Sequence, residues 1–439
     1  MTSSSRNVRV LAGAVLLTIL AVVTIAVVGR GRLLSTLDDA ALGGGDTRIP
    51  PDSAPEARAL LDECGDRAGR EKIDCYQAGL TLELGKVGVR PTMTTLDHLA
   101  LLDGDISRDA HVYAHHVGIE AYRMSPDVTE TFSSCTESFS SGCYHGVIQA
   151  YFEDRGSADA ETVGTLCDPY RDDEQGRWIL FQCIHGMGHG LTMFFGHHLP
   201  RALEACDLLS DNWDRQSCYG GAFMENVMAA TMPHHPAMML ASARDGEDAP
   251  SDGGDEAAGH GSGEDRGLAG EKPWKAVDPA DPLYPCSVMD DQYQHQCYLM
   301  QTSVILWLNG NDLVAASRSC DVAPPKMRST CHQSLGRDIT ARTKDPKEAE
   351  RHCRAGSEPY RGWCYVGVVK AFVDWTSDAE SGLTFCRVVD DPGHKSMCYR
   401  GLGEEIATLV ADDETRAALC AEAEEEYVAS CRGGARLPA

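Results

Sequence analysis

Cys364-Tyr365-Val366-Gly367-Val368-Val369-Lys370-Ala371-Phe372 places a cysteine, an aromatic residue and a glycine at the head of an apolar row with helical spacing, and Cys353 lies eleven residues before it. The arrangement recurs along the chain. The 18 cysteines fall in order into nine close couples: 64/75, 135/143, 167/183, 206/218, 286/297, 320/331, 353/364, 386/398 and 420/431. Seven of the nine are separated by 11 or 12 residues. Scattered thiols would not keep such spacing, so the couples read as disulfides formed in an oxidising compartment. Zinc is the rival use of paired cysteines, but the usual half-site, Cys-x-x-Cys, occurs nowhere.

The second cysteine of each couple marks a repeat. The markers 75, 143, 183, 218, 297, 331, 364, 398 and 431 are separated by steps of 68, 40, 35, 79, 34, 33, 34 and 33. A period near 34 is that of a helix-turn-helix solenoid. The step of 68 is two periods, so a repeat without cysteines is expected with Asp109 in the marker position. Tyrosine often follows the marker (Tyr76, Tyr144, Tyr219, Tyr298, Tyr365, Tyr399), and glycine often lies three after it (Gly146, Gly186, Gly221, Gly367, Gly401). A first helix, A, is expected to start at the marker, with the tyrosine in the core and its hydroxyl satisfied. A glycine inside helix A costs about 1 kcal/mol against alanine, which points to close approach of a neighbouring helix. A second helix, B, is expected to end at the next couple's first cysteine, as at Cys206, so that each disulfide staples B to the next A.

In period, helix pairs and one cysteine couple per repeat, residues 56–433 resemble the α-solenoid class, nearest to tetratricopeptide and Sel1-like arrays. The Trp/Leu-Gly/Tyr consensus of the tetratricopeptide family is not in register. The resemblance implies an all-α fold of stacked helical hairpins with a concave face, and implies no chemistry.

The flanking segments differ in composition. Residues 1–9 read as a cytoplasmic tail. Residues 10–28 are uncharged and mostly apolar, about the length that spans a bilayer. Arginines flank the run on both sides, so charge does not orient it; the cysteines place the bulk of the chain outside the cytoplasm. No small-x-small cleavage site follows closely, which favours a retained single-pass anchor over a cleaved signal peptide. Residues 29–55, with Gly43-Gly44-Gly45 and Pro50-Pro51, read as a stalk. The repeats divide into 56–240 and 286–433. The stretch between them, 241–285, is rich in Gly, Asp, Glu, Ala and Pro and reads as a disordered acidic insertion that accounts for the step of 79.

Net charge is -27, and the first 32 residues hold four arginines and no acid, so the remainder carries -31. Such a surface repels nucleic acid and anionic lipid and attracts cations and basic proteins or peptides.

The histidines fall in repeat register. Two after the marker stand His111, His145 and His185; six after stand His115, Gln149 and His189; seven after stand His116 and, later, Glu225. Equivalent positions of stacked repeats lie side by side, with axes about 8–10 Å apart, so five histidines are expected on one wall with Glu225 at its edge. Neutral imidazole is the commonest metal ligand, and histidines four apart share a helix face. The set His111, His115, His145, His185 and His189, with His116 beside it, suits Zn, Cu or Fe. Gly186, Gly188 and Gly190 leave room over the rings. In a hydrolytic extension of this reading, the metal would acidify water and Glu225 would be the catalytic base. Haem held by two histidines is a further use of the same residues.

A single His-x-x-x-His also arises by chance. The later repeats are an internal control: their second position holds Leu299, Gln333, Val366, Arg400 and Gly433, so the fold itself does not require histidine there. His197-His198 and His234-His235, beside prolines, read as loop residues; His260 lies in the insertion; Glu404-Glu405 reads as a solvated face. Serine-hydrolase, nucleotide-binding, zincin and covalent-haem motifs are absent. The expectation is a membrane-anchored extracytoplasmic repeat protein with a histidine-rich transition-metal site, extending to a metalloenzyme. The alternative is a metal-free scaffold that binds a basic protein or peptide in its groove.

Overall fold

A computed structural model describes residues 55–171, 177–231, 272, 274–376, 378–410 and 412–438. Their regular elements are helices, α1 (Pro55–Cys64), α2 (Gly69–Val87), α3 (Val89–Leu102), α4 (Gly104–Met124), α5 (Val128–Ser134), α6 (Ser138–Arg155), α7 (Ala160–Thr165), α8 (Arg177–Phe194), α9 (Leu199–Cys206), α10 (Asn212–Thr231), α11 (Asp291–Leu308), α12 (Leu313–Asp321), α13 (Arg328–Thr340), α14 (Pro346–Arg354), α15 (Arg361–Thr376), α16 (Ala379–Arg387), α17 (Pro392–Leu409), α18 (Asp413–Ala421) and α19 (Val428–Gly434), and 274–290 are turns with one isolated bridge. Long A helices alternate with short B helices. The tail, the apolar run 10–28 and the stalk lie outside the described residues, as does most of the insertion. Among the described residues no helix is long and apolar enough to cross a membrane.

All nine expected couples are disulfides, with Cα atoms 5.4 to 5.8 Å apart. Helix B ends at the first cysteine, as at Cys64 and Cys206. Helix A does not start at the marker. It begins several residues earlier, at Ser138 for Cys143 and Asn212 for Cys218, so the marker sits inside its first turns. The staple therefore grips a formed helix rather than a fraying end.

Two local devices set the hairpins. Helix B opens on an aspartate: Asp127, Asp159, Asp312, Asp345, Asp378 and Asp412 each accept hydrogen bonds from the first-turn amides. Asp345 accepts from the amides of Lys347 at 2.8 Å and Glu348 at 2.9 Å. Asp345→Ala is expected to cost about 1 kcal/mol, read as a lower denaturant midpoint with an unchanged slope. The post-marker tyrosines are core residues whose hydroxyls mostly reach an acid. Tyr76 donates to Asp103 (3.0 Å), Tyr365 to Glu350 (3.0 Å) and Tyr399 to Glu424 (2.9 Å). Tyr298 differs: it is fully buried and its hydroxyl has no hydrogen-bond partner.

The A helices run parallel and pack in doublets at mutual glycine contacts. An added Cβ on Gly118 would lie 2.1 Å from the Cys143 carbonyl oxygen, and one on Gly146 would lie 2.1 Å from that of His115, which joins α4 to α6. Gly188 and Gly221 join α8 to α10 in the same way, Gly336 and Gly367 join α13 to α15, and Gly403 and Gly434 join α17 to α19. In the first helix of three doublets the glycine lies five after the marker, as in Cys183 and Gly188. Gly118 lies five after Tyr113, so Tyr113, not Asp109, occupies the marker position of the repeat without cysteines. The reason is local. The B helix before it, α3, has 14 residues against six to ten in the others, and the surplus shifts the next A helix by about one turn.

The core runs unbroken through the array, and residues 51–439 form one compact unit. Helix α10 packs on α11, so the two halves are one continuous solenoid across the insertion, and the array curls until α8 also touches α17. Residues 274–285, read as the end of the insertion, are described in place against the array. Trp274 donates its indole N–H to Asn226 Oδ1 (2.9 Å) and stacks on Tyr284. A large aromatic ring in an otherwise polar stretch is what fastens it.

Candidate metal centre

Helix α4 brings His111 and His115, one turn apart, against α6, which carries His145. The next A helix, α8, brings His185 and His189 to the other side of His145. His145 is therefore the centre of the wall, 2% exposed, with His111 and His115 at 8% and 9% and His189 fully buried. Glycine makes the approach possible. A Cβ at Gly142 would lie 3.2 Å from His111 Nδ1, and one at Gly186 would lie 3.6 Å from the His145 ring. Gly188 and Gly190, expected to leave room over the rings, serve packing instead, against the α10 backbone and Ile148.

His111, His115 and His145 form a compact trio whose candidate ligand atoms all lie within 4.8 Å of one another. Their ring centroids are 5.5, 5.5 and 5.8 Å apart, and their planes are inclined at 59°, 62° and 58°. This spacing is compatible with three imidazoles around one ion, each ring standing upright to the plane of the ligand atoms. A nitrogen about 2 Å from the ion puts its centroid about 3.2 Å away, and three rings at 120° then stand about 5.5 Å apart with planes meeting at about 60°.

Hydrogen bonds set the ring orientations. His111 Nδ1 is 2.8 Å from the carbonyl oxygen of Phe139. An Nδ1–H donated there leaves Nε2 as the lone-pair nitrogen of a neutral ring, the second-shell device of metal-ligating histidines. Phe139 and Ser141 hold left-handed backbone, φ 55° and 62°, which is uncommon outside glycine. His189 Nδ1 is 2.9 Å from Glu225 Oε2, with both residues fully buried. His189 lies flat on His145, with centroids 3.9 Å apart and planes 12° from parallel. His185 stacks on Phe181 and is held by the Ser217 backbone; burial, and then the neighbouring His189, push its pKa down to about 3. Burial, and then His189, His111, His115 and His185, hold His145 well below the usual imidazole range.

Not every sequence candidate joins the trio. His116 faces α2, where Nε2 meets the Thr81 hydroxyl (2.8 Å) and the Gln77 carbonyl (3.2 Å), and serves helix packing. His185 and His189 flank the trio. Glu225 meets His189 Nδ1 and is not among the grouped candidate ligand atoms. His197, read as a loop residue, has Nδ1 3.7 Å from Glu225 Oε1; its left-handed φ of 62° turns the chain there. His234, His235 and His260 lie outside the described residues. Glu405 is not on a solvated face: it is buried beside Asp374, and burial, and then that carboxylate, push its pKa well up. The Phe139 carbonyl carried no sequence signal.

Comparison with protein-family models, with curated proteins and with solved structures finds no match.

Proposed function

We propose that this protein is a membrane-anchored, extracytoplasmic helical-repeat protein that binds one transition-metal ion at His111, His115 and His145. The observation that carries the reading is His145. Both of its ring nitrogens are buried and neither has a hydrogen-bond partner. Leaving a buried polar group unsatisfied costs roughly 1–3 kcal/mol, and the rings around His145 are the one class of neighbour that suits a shared ion. The N-terminal apolar run and the nine disulfides support the location. The period and helix-pair order support kinship in architecture with tetratricopeptide and Sel1-like arrays.

The burial of the trio favours holding an ion over turning over a bulky substrate, so Glu225 is taken as a positioning residue. In the full chain, purified from an oxidising compartment without a metal-binding tag, elemental analysis is expected to find about one equivalent of transition metal per chain. His145→Ala is expected to lose that metal while keeping the helical circular-dichroism signal. Unchanged metal content in His145→Ala, or none in the parent after reconstitution with Zn, Cu and Fe, overturns the reading. The acidic groove as a scaffold for a basic peptide is then what remains, and its binding would weaken with salt.

A further inference from the structure

Resting on the metal reading above, we propose that the ion at His111, His115 and His145 is monovalent copper, Cu(I), held three-coordinate and shut off from solvent. Coordination number comes first. The spacing and mutual inclination of the three rings are compatible with a trigonal set. The orientation of His189 keeps it from serving as a fourth ligand. Its plane lies 12° from that of His145, with the centroids 3.9 Å apart. A ring nitrogen binds an ion lying in its own ring plane, and two nearly parallel planes do not meet within bonding distance. His189, fixed by Glu225, therefore acts as a flat support that sets the His145 ring on edge towards His111 and His115. It is a positioning residue.

Charge comes second. The trio contains no anionic ligand, and the carboxylate on this wall, Glu225, is engaged by His189 Nδ1. The three ligands are nine-tenths or more buried. The cost of placing an ion in a medium of low dielectric rises with the square of its charge, so a divalent ion costs about four times as much as a monovalent one. Zn²⁺ in a closed site is almost always four-coordinate, and in a three-ligand site it takes water as the fourth. Among the described residues the grouped ligand atoms supply three nitrogens and no fourth, and all three ligands are buried. Cu(I) accepts three neutral nitrogens and needs no fourth ligand, and imidazole is a ligand of copper. The cysteines nearest the wall, Cys143 and Cys183, are in disulfides, so nitrogen and not sulfur sets the site.

The test uses the full chain with its disulfides intact, stripped of metal and kept free of thiols. It is titrated anaerobically with Cu(I), supplied as its acetonitrile complex, and separately with Zn(II), each against a chromophoric competitor. The expected result is one equivalent of Cu(I), bound about 100-fold or more tightly than Zn(II), with X-ray absorption showing three nitrogen neighbours at about 2 Å. His145→Ala is expected to abolish it, with His115→Gln as the second variant should His145→Ala fail to fold. Tight Zn(II) with weak Cu(I), or a fourth nitrogen neighbour, overturns the copper assignment and leaves the metal reading standing. Stoichiometric Cu(I) retained in a folded variant overturns the trio as the site. Binding of neither ion overturns both.

Discussion

Gly367→Ala is expected to destabilise the protein by about 3 kcal/mol or more, the upper part of the range for overpacking. The new Cβ would stand 1.8 Å from the Gln333 carbonyl oxygen, 2.8 Å from its carbon and 3.0 Å from the Arg337 nitrogen. All three are backbone atoms of α13, so no side chain can swing aside. Helices α13 and α15 would have to part by more than 1 Å, through the buried Val368 and Val369. Separation would also lose the Cα–H to carbonyl contacts that such close parallel helices make, worth roughly 0.5–1 kcal/mol each. The control is Gly164→Ala in α7, where nothing lies within 4 Å of the added Cβ; there alanine should be neutral or stabilise by up to about 1 kcal/mol. Denaturant unfolding of both variants decides it. Equal midpoints would show that the glycine doublets are not close-packed.

The same contacts explain how far the sequence could be read. Period, staples and the AB hairpin were legible because cysteine spacing is a direct record of where B ends and the next A has begun. The glycine three after the marker was legible as a packing device. Its partner five after the marker, as at Gly188, Gly336 and Gly403, was not, because one chain written linearly does not show which helices touch. The repeat without cysteines was placed one turn early for the same reason. With no staple to mark it, the extra length of α3 was invisible, and equal division put the marker at Asp109 instead of Tyr113.

The wall of histidines survived that error because one turn on a helix returns a side chain to nearly the same face. His115, not His111, aligns with His185, yet both α4 histidines still face His145. Ring planes could not be foreseen. They are set by the Phe139 carbonyl on His111 and by Glu225 on His189, and these partners lie 28 and 36 residues away in sequence. Sequence therefore found which imidazoles share the wall, and the hydrogen bonds behind them select three as a converging set and turn His189 flat. His116 shows the limit of register: one residue beyond His115 it points a third of a turn away, into α2.

Reduction is expected to unfold the array at neutral pH without denaturant. Each staple closes a loop spanning 8 to 16 residues, worth about 2–3 kcal/mol in the chain-entropy model. A few together rival the roughly 5–15 kcal/mol that holds an ordinary domain. The B helices make the dependence acute. Most have nine residues or fewer, short of the ~12–15 at which isolated helices become even marginally stable in water, and six of them keep their place by an aspartate cap at one end and a disulfide at the other. A solenoid also transmits loss from neighbour to neighbour, because each repeat is buried only by the next. Position should therefore matter. Removing Cys420–Cys431 by paired alanine substitution should fray only α18 and α19, seen as fast amide exchange there. Removing Cys206–Cys218 should loosen α8 and α10, taking the His189–Glu225 contact with them. A reduced chain that kept its helical circular-dichroism signal and a cooperative melt would show that packing alone carries the fold. Loss of the signal, regained on reoxidation, would mean that the chain folds only where disulfides form, and the compartment would follow from stability itself.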